Sequence, residues 1–454
     1  MGLRSFFGFL PPRLAYTRQA SDFEALPLPD QATLLLRSVP PDALAIAVGA
    51  AVRTGQNLAP AGAEAVVATV TGRVSRLTSV TDADGCPATA VVIETSGVDD
   101  HAEFGAPIVD WEAAEPSALR QALLQTGLPG LDALRIGARV ATVIASGLDE
   151  APGCSTVRAQ LGVGAESIAD GLRLLQRATG ADQVVLAWPA DGAALAGLPR
   201  EIRCERVPPF YPHGLPELLA VRCGGWLLQC TPGGVFGDTL VLDLATLAAA
   251  VACVRSGRSQ IDTTVSCLGP NGQPPRNLRV RIGAPAAQLL AHLGLQPQAG
   301  GKLILGSPLR GAAAADPTAP IRPHTRQLIL QAPNQVHRFQ RTACTNCGKC
   351  NQVCPVGLEV NLLGRYAEYD RYDRCADLAV ERCVDCGLCA YVCPAHRPLA
   401  QLMAHAKQTL WRSPDKRQAA PEAPGCNACG PTCPAVRLFD LGAEPVASGE
   451  KERS

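Results

Sequence analysis

Cys344-Thr345-Asn346-Cys347-Gly348-Lys349-Cys350-Asn351-Gln352-Val353-Cys354-Pro355 is followed further along the chain by Cys383-Val384-Asp385-Cys386-Gly387-Leu388-Cys389-Ala390-Tyr391-Val392-Cys393-Pro394. Both stretches carry one spacing, C-x2-C-x2-C-x3-C-P. Two-residue steps wrap the backbone around an iron–sulfur cube and set three thiolates on three irons, so the fourth iron needs a ligand from elsewhere. The repeat predicts two [4Fe–4S] clusters and electron transfer as the chemistry. Structural zinc takes four tetrahedral ligands, typically as two CxxC pairs, and leaves half of each run without a reason. Disulfides fit less well, because no charged-then-apolar signal opens the chain and thiolate ligands persist in a reducing compartment.

The spacing resembles that of bacterial two-cluster ferredoxins, in which the fourth cysteine of each run serves the other cluster. The resemblance assigns Cys344, Cys347, Cys350 and Cys393 to cluster 1, and Cys383, Cys386, Cys389 and Cys354 to cluster 2. Crossed ligation ties the two halves together. Between the runs, Glu359 to Leu378 reads as a helix, and its Tyr366, Tyr369 and Tyr372 form a stripe expected to cover a cluster. Cys375 on the same stretch is expected to be unligated.

With 454 residues, 47% of them hydrophobic and 18% charged, the chain is long enough for three or four cores. Lys plus Arg and Asp plus Glu each number 41, so no net field recruits nucleic acid or an anionic membrane. No apolar run is long enough to span a bilayer; the best, Leu240 to Val254, is short and contains Asp243. Ser5 to Leu10 before Pro11 and Pro12 is read as an arm, with an interfacial foot as the alternative. Of 19 cysteines, Cys204, Cys223, Cys230, Cys253 and Cys267 are expected to be small buried hydrophobes.

Working outward from the cysteine runs, the pattern predicts a multidomain chain of α/β plus α+β class. After an N-terminal arm (1–25), residues 26–100 hold short β-prone runs broken by Gly, Pro and Asp, and Val52 to Gln56 with Thr71 to Val74 look like a biotinyl/lipoyl-type module. From 101 to 205 helix alternates with strand: Ile168, Leu172 and Leu175 share a helical face, and Gln183 to Trp188 reads as a buried strand, together a Rossmann-like layer. Its nucleotide candidates are the loop at Gly127 and Gly130 and the lone pair Gly162 and Gly164, short of the full dinucleotide fingerprint. Residues 206–312 suggest a β-grasp (SLBB-like) module, with strands at Thr263 to Leu268 and Leu278 to Ile282 before a helix at Ala286 to Leu293. A connection (313–340) carrying His324, Arg326, His337 and Arg338, with Arg341 just beyond, leads to the ferredoxin domain (341–412). These cations are candidates for raising cluster potentials, with an ordinary solvated surface as the commoner alternative. The Pro- and Ala-rich tail (413–454) holds Cys426, Cys429 and Cys433, a candidate third metal site that lacks a fourth ligand.

This order of modules resembles the C subunit of the Rnf (Rsx) electron transport complex over about residues 7–410. Phe7-Gly8 with Pro11-Pro12 looks like the family's opening without its histidine. Leu26-Pro27-Leu28-Pro29, Tyr211-Pro212-His213-Gly214, Pro274-Pro275-Arg276-Asn277 and Gly306 to Gly311 are similar to further family elements, as are Pro398-Leu399 and Ala406-Lys407. The resemblance implies a peripheral subunit on the cytoplasmic face of the inner membrane. Its partners would be membrane subunits and a soluble donor or acceptor, either ferredoxin or NADH-linked. It also implies FMN and NADH sites. Here the family's Gly-rich loop is shortened to Gly127-Leu128-Pro129-Gly130 and its Glu-Cys-Glu-Pro motif to Leu148-Asp149-Glu150-Ala151-Pro152, so the nucleotide site is expected to be degraded and autonomous NADH oxidation lost. The alternatives are an FMN-dependent, NADH-oxidising reductase resembling cobalamin reductases, and a scaffold whose clusters are only structural.

Overall fold

The computed structural model describes residues 12–412, apart from 17–21, 61–62, 83–85, 104, 136, 161–163, 194, 225–234, 271, 273 and 341. The chain divides into two compact units, Leu14–His337 and one built on the residues from Arg338 onward. The N-terminal foot, Gly162, Cys230, Arg341 and the tail thiols Cys426, Cys429 and Cys433 lie outside the described residues.

In the first unit, β1 (Leu14–Ala15) and β2 (Phe23–Ala25) precede β3 (Gln31–Arg37), β4 (Ala51–Val52), β5 (Gly72–Thr81) and β6 (Pro87–Thr95). The last four form an antiparallel sheet in the order β3-β6-β5-β4. β3 alternates, turning Ala32, Leu34 and Leu36 inward against Val91 and Ile93, as one covered face demands. Gly72 is required where β5 meets β6, because a Cβ there would lie 1.9 Å from the Glu94 carbonyl oxygen.

Then α1 (Pro116–Gln125), α2 (Asp132–Arg135), β7 (Thr142–Ser146), α3 (Ala165–Thr179), β8 (Gln183–Pro189) and β9 (Arg203–Val207) follow, with β10 (Phe210–Tyr211) pairing back to β1. After α4 (Pro216–Gly224) come β11 (Val235–Phe236), β12 (Thr239–Asp243) and α5 (Leu244–Ser256). The sheet order is β11-β12-β7-β8-β9, parallel from β12 to β9. All of β7 is buried, since helices cover a parallel sheet and such strands read as apolar runs without alternation. Leu119, Leu172, Leu186 and Leu247 share the core. The apolar stretch from Leu240 is therefore a strand and a helix, divided by Asp243, whose carboxylate accepts the Thr246 N–H at 2.6 Å as the cap of α5.

β13 (Asp262–Leu268), β14 (Arg276–Arg281), α6 (Ala286–His292), β15 (Lys302–Leu305), β16 (Ala312–Ala314) and β17 (Gln327–Gln331) complete this unit. Their sheet runs β16-β15-β17-β13-β14-β2 over a core with Val265, Leu278, Leu289 and Leu328. Hydrogen bonding thus crosses the module boundaries read from the sequence. The parallel sheet takes β12 from beyond residue 205, and the third sheet takes β17 from the connection and β2 from the arm. Burial is as expected for Cys223, Cys253 and Cys267, but Cys204 is exposed. It sits on β9, the edge strand, where one neighbour is missing.

The second unit is helical: α7 (Lys349–Gln352), α8 (Val360–Glu368), α9 (Tyr372–Asp377), α10 (Leu388–Tyr391) and α11 (Leu399–Arg412). The helix expected over 359–378 is broken in two. Asp370 adopts φ 56° and accepts the Tyr372 hydroxyl at 2.6 Å, which turns the chain between α8 and α9. The tyrosine stripe is lost with it: Tyr369 is 76% exposed while Tyr372 is buried. Cys375 is fully buried with its thiol facing the Leu363 carbonyl.

Candidate metal centres

Each cysteine run folds as a loop that turns into a short helix. Asn346 and Asp385 take φ 55° and 50°, and Gly348 and Gly387 take φ 73° and 74° as the N-caps of α7 and α10. Past the fourth cysteine, Gly357 and His396 repeat the left-handed conformation at φ 68° and 49°. These bends curl the backbone around a hollow and aim N–H groups at sulfur. The Asn346 N–H lies 3.4 Å from Cys344 Sγ, and the Leu358 N–H lies 3.3 Å from Cys354 Sγ.

Two cavities result, each with about 360 Å³ of empty space partly open to solvent. Cys344, Cys347 and Cys350 line the first together with Cys393 from the other run. Cys383, Cys386 and Cys389 line the second together with Cys354. The linings correspond position by position: Pro394 answers to Pro355, Ala395 to Val356, and Leu399 to Val360. Both donor sets are wholly sulfur, which suits iron–sulfur clusters. Among the described residues no three His, Cys, Asp or Glu side chains gather closely enough for a single metal ion. Four thiols spread around a hollow fit the corners of a polynuclear cube better than one tetrahedral zinc.

The surroundings of the sulfurs differ. Cys347 is exposed, Cys344, Cys383 and Cys393 are half-buried, and the other four are buried. Burial pushes the Cys350 thiol up to about 11 and raises Cys354, Cys383 and Cys389 as well, so in the absence of iron these groups hold their protons. Cluster binding then releases protons. At Cys344 burial works upward too, but the Asn346 N–H and the Arg365 guanidinium bring the thiol below its ordinary range.

Two buried cations here had no role in the sequence reading, which passed over Arg397 and quoted Lys407 only as part of a resemblance, because no periodicity marks their place beside a cavity. Arg397 lines the first cavity and pairs with Glu368. Lys407 donates to the Cys383 carbonyl at 2.7 Å and pairs with Asp385, which lines the second cavity. Of the cations picked out along the connection, Arg326 belongs to the first unit, where it is half-buried and paired with Asp243 at 2.7 Å.

Gly127 and Gly130 adopt φ 72° and 82° and line a hollow in the first unit with Leu34, Val66, Gln260 and Arg322. A flavin phosphate would need the loop's N–H groups, but Pro129 has none and Leu128 gives its own to Thr126 Oγ1 at 3.2 Å. The loop does not fit that group. The Leu148–Pro152 segment is similarly turned inward, with the Val157 N–H donating to the Asp149 carboxylate at 2.9 Å.

The family described as "4Fe-4S dicluster domain" matches residues 337–394. The C subunit of the ion-translocating oxidoreductase complex of Rhodobacter capsulatus is 28% identical over 299 residues, covering 61% of this chain and 56% of its own length. Its namesake in Pseudomonas aeruginosa is 28% identical over 359 residues, covering 72% of this chain and 45% of its own. The C subunit of the Na(+)-translocating ferredoxin:NAD(+) oxidoreductase complex of Acetobacterium woodii is 24% identical over 330 residues, 68% of this chain and 74% of its own. The chain spans about half the length of the first two relatives, at 56% and 45%. Among solved structures, an NAD+-reducing [NiFe]-hydrogenase in the H2-reduced state covers 72% of the chain and 69% of its own at 14% identity and a TM-score of 0.41, too low to carry an argument.

Fold and thiol sites together define a mixed α/β protein with a C-terminal 4Fe-4S dicluster domain. Within that class the chain is similar to the C subunit of Rnf-type ion-translocating oxidoreductase complexes, as the residues quoted from its sequence imply.

Proposed function

We propose that this chain is an iron–sulfur electron-transfer subunit of an Rnf-like complex, passing single electrons through two [4Fe–4S] clusters between a soluble partner and membrane subunits. One observation carries the proposal: each of two cavities gathers three thiols from one run and the fourth from the other. Such clusters supply reversible one-electron chemistry when bound. Cys344, Cys347, Cys350 and Cys393 would hold one, and Cys354, Cys383, Cys386 and Cys389 the other. Cys354, Cys386 and Cys389 are buried at the second site, whereas exposed Cys347 gives the first the more accessible thiol, which favours it as the side a redox partner would meet.

No helix among the described residues is long and apolar enough to cross a membrane. We place the chain on the cytoplasmic face of the inner membrane, docked through membrane subunits, with ferredoxin or an NADH-linked carrier as soluble partner. The finer module names belong to the same reading: biotinyl/lipoyl-like for the antiparallel sheet of β3 to β6, Rossmann-like for the parallel sheet, and SLBB-like for the sheet of β13 to β17. A flavin is left out of this reading, because in the Gly127–Gly130 loop Pro129 has no N–H and Leu128 gives its own to Thr126 Oγ1.

Full-length protein isolated anaerobically should carry about 8 iron atoms and give reversible, dithionite-driven EPR signals of two interacting centres. Folded protein that is colourless and free of iron would sink the electron-carrier reading. Iron that no reductant reaches would favour the scaffold.

A further inference from the structure

The correspondence between the two cavities breaks at a few positions, and each break has the same sign. Arg397 stands four residues after Cys393, and its counterpart four residues after Cys354 is Leu358; each lines its own cavity. Asn361 and Thr345 on the first cavity likewise answer to Ala400 and Val384 on the second. Lys349 also lines the first, and no acidic side chain does. The second is lined by apolar groups and one carboxylate, Asp385, held by Lys407.

Arg397 is an unusual cation. Its side chain is 3% exposed, one nitrogen is paired with Glu368, and the other, Nη1, is buried without a hydrogen-bond partner. Gly364 on α8 makes room for this arrangement, since a Cβ there would lie 2.7 Å from Leu399 and 3.8 Å from Arg397 Nη1. A buried charge beside a redox site is poorly screened by water or salt. Reduction adds one negative charge, so the neighbouring guanidinium favours the reduced form.

Resting on the two-cluster reading above, we infer that Arg397 poises the site of Cys344, Cys347, Cys350 and Cys393 at a higher reduction potential than the site of Cys383, Cys386, Cys389 and Cys354. Electrons then run from the buried, apolar site to the site nearer the surface. For each electron moved, the second site is oxidised by one and the first reduced by one, and neither a bond nor a proton is exchanged.

The test is an EPR-monitored redox titration of the full chain with iron counted in every sample. Wild type should show two separate waves. Arg397→Leu, which copies Leu358, should keep full iron and lower the upper wave by at least tenfold in its equilibrium constant, about 59 mV for one electron, leaving the lower wave in place. Arg397→Lys should hold the upper wave within threefold of wild type, and Glu368→Gln, which removes the counter-charge, should raise it. Coincident waves in wild type, an unmoved upper wave in fully loaded Arg397→Leu, or a shift of the lower wave instead would overturn the inference. If Arg397→Leu fails to take up iron, an unmoved upper wave in Glu368→Gln overturns it. Iron-free wild type is the different failure, that of the two-cluster reading itself.

Discussion

Asp149 is a buried carboxyl that serves structure, its oxygen accepting the Val157 N–H. Burial pushes its carboxyl up to about 7 against the opposing hydrogen bonds from Val157 and Arg158, so the native state keeps a proton that the unfolded chain releases near 4. Stability from this group is therefore full below about pH 4 and falls as pH rises toward about 7, by roughly 2–4 kcal/mol. Asp149→Asn retains an acceptor for the Val157 N–H, and denaturant midpoints across that range should show a flatter pH profile than wild type. The crossed thiol sets give a second residue-scale prediction. Replacing Cys344 and Cys393 together by Ser should leave about 4 iron atoms, whereas replacing Cys383 and Cys393 together should damage both sites. The reversed pattern, with both sites damaged in the first double variant and about 4 iron atoms kept in the second, would show ligation within each run.

At the scale of elements, small residues and caps decide how close helices come to the parallel sheet and to each other. Gly171 on α3 faces Leu247 on α5, and a Cβ there would lie 2.4 Å from Leu247 Cγ, so either Leu247 leaves its rotamer or the two helices part. Gly171→Ala should cost about 1–3 kcal/mol by overpacking, read as a lower thermal midpoint with iron content intact. Asp243 caps α5 and also pairs with Arg326, whose side chain is only 13% exposed. Asp243→Asn can keep the cap yet leaves Arg326 without its counter-charge, at about 3–5 kcal/mol. Asp243→Ala should cost about 1 kcal/mol more through the lost cap. Equal midpoints for wild type and Asp243→Asn would show that Arg326 finds another partner.

For the whole molecule, the chain carries its two cysteine runs in one compact unit and, among the described residues, four sheets in the other, the smallest being the β1-β10 pair. The tail thiols add no complete ligand set in the sequence. Iron per chain should therefore be the same in wild type and Cys429→Ser, near 8 in each. A fall of about 4 in the variant would reveal a third cluster.

What the sequence by itself determined was local chemistry. Thiol spacing acts over a few residues, and the bends that wrap each hollow need only Gly348, Gly387 and their neighbours, so the repeat was readable without coordinates. The buried face of α3 and the buried strand β8 were legible for the same reason, through period and apolar run. Only the tertiary structure decided which strands join which sheet, since β2, β12 and β17 pair with partners far away in sequence. It also decided that the tyrosines do not align, because Asp370 turns the chain where helical spacing alone predicts continuity. Above all it placed Arg397 and Lys407 beside the cavities. A cation's effect depends on what surrounds it in space, and no spacing along the chain records that.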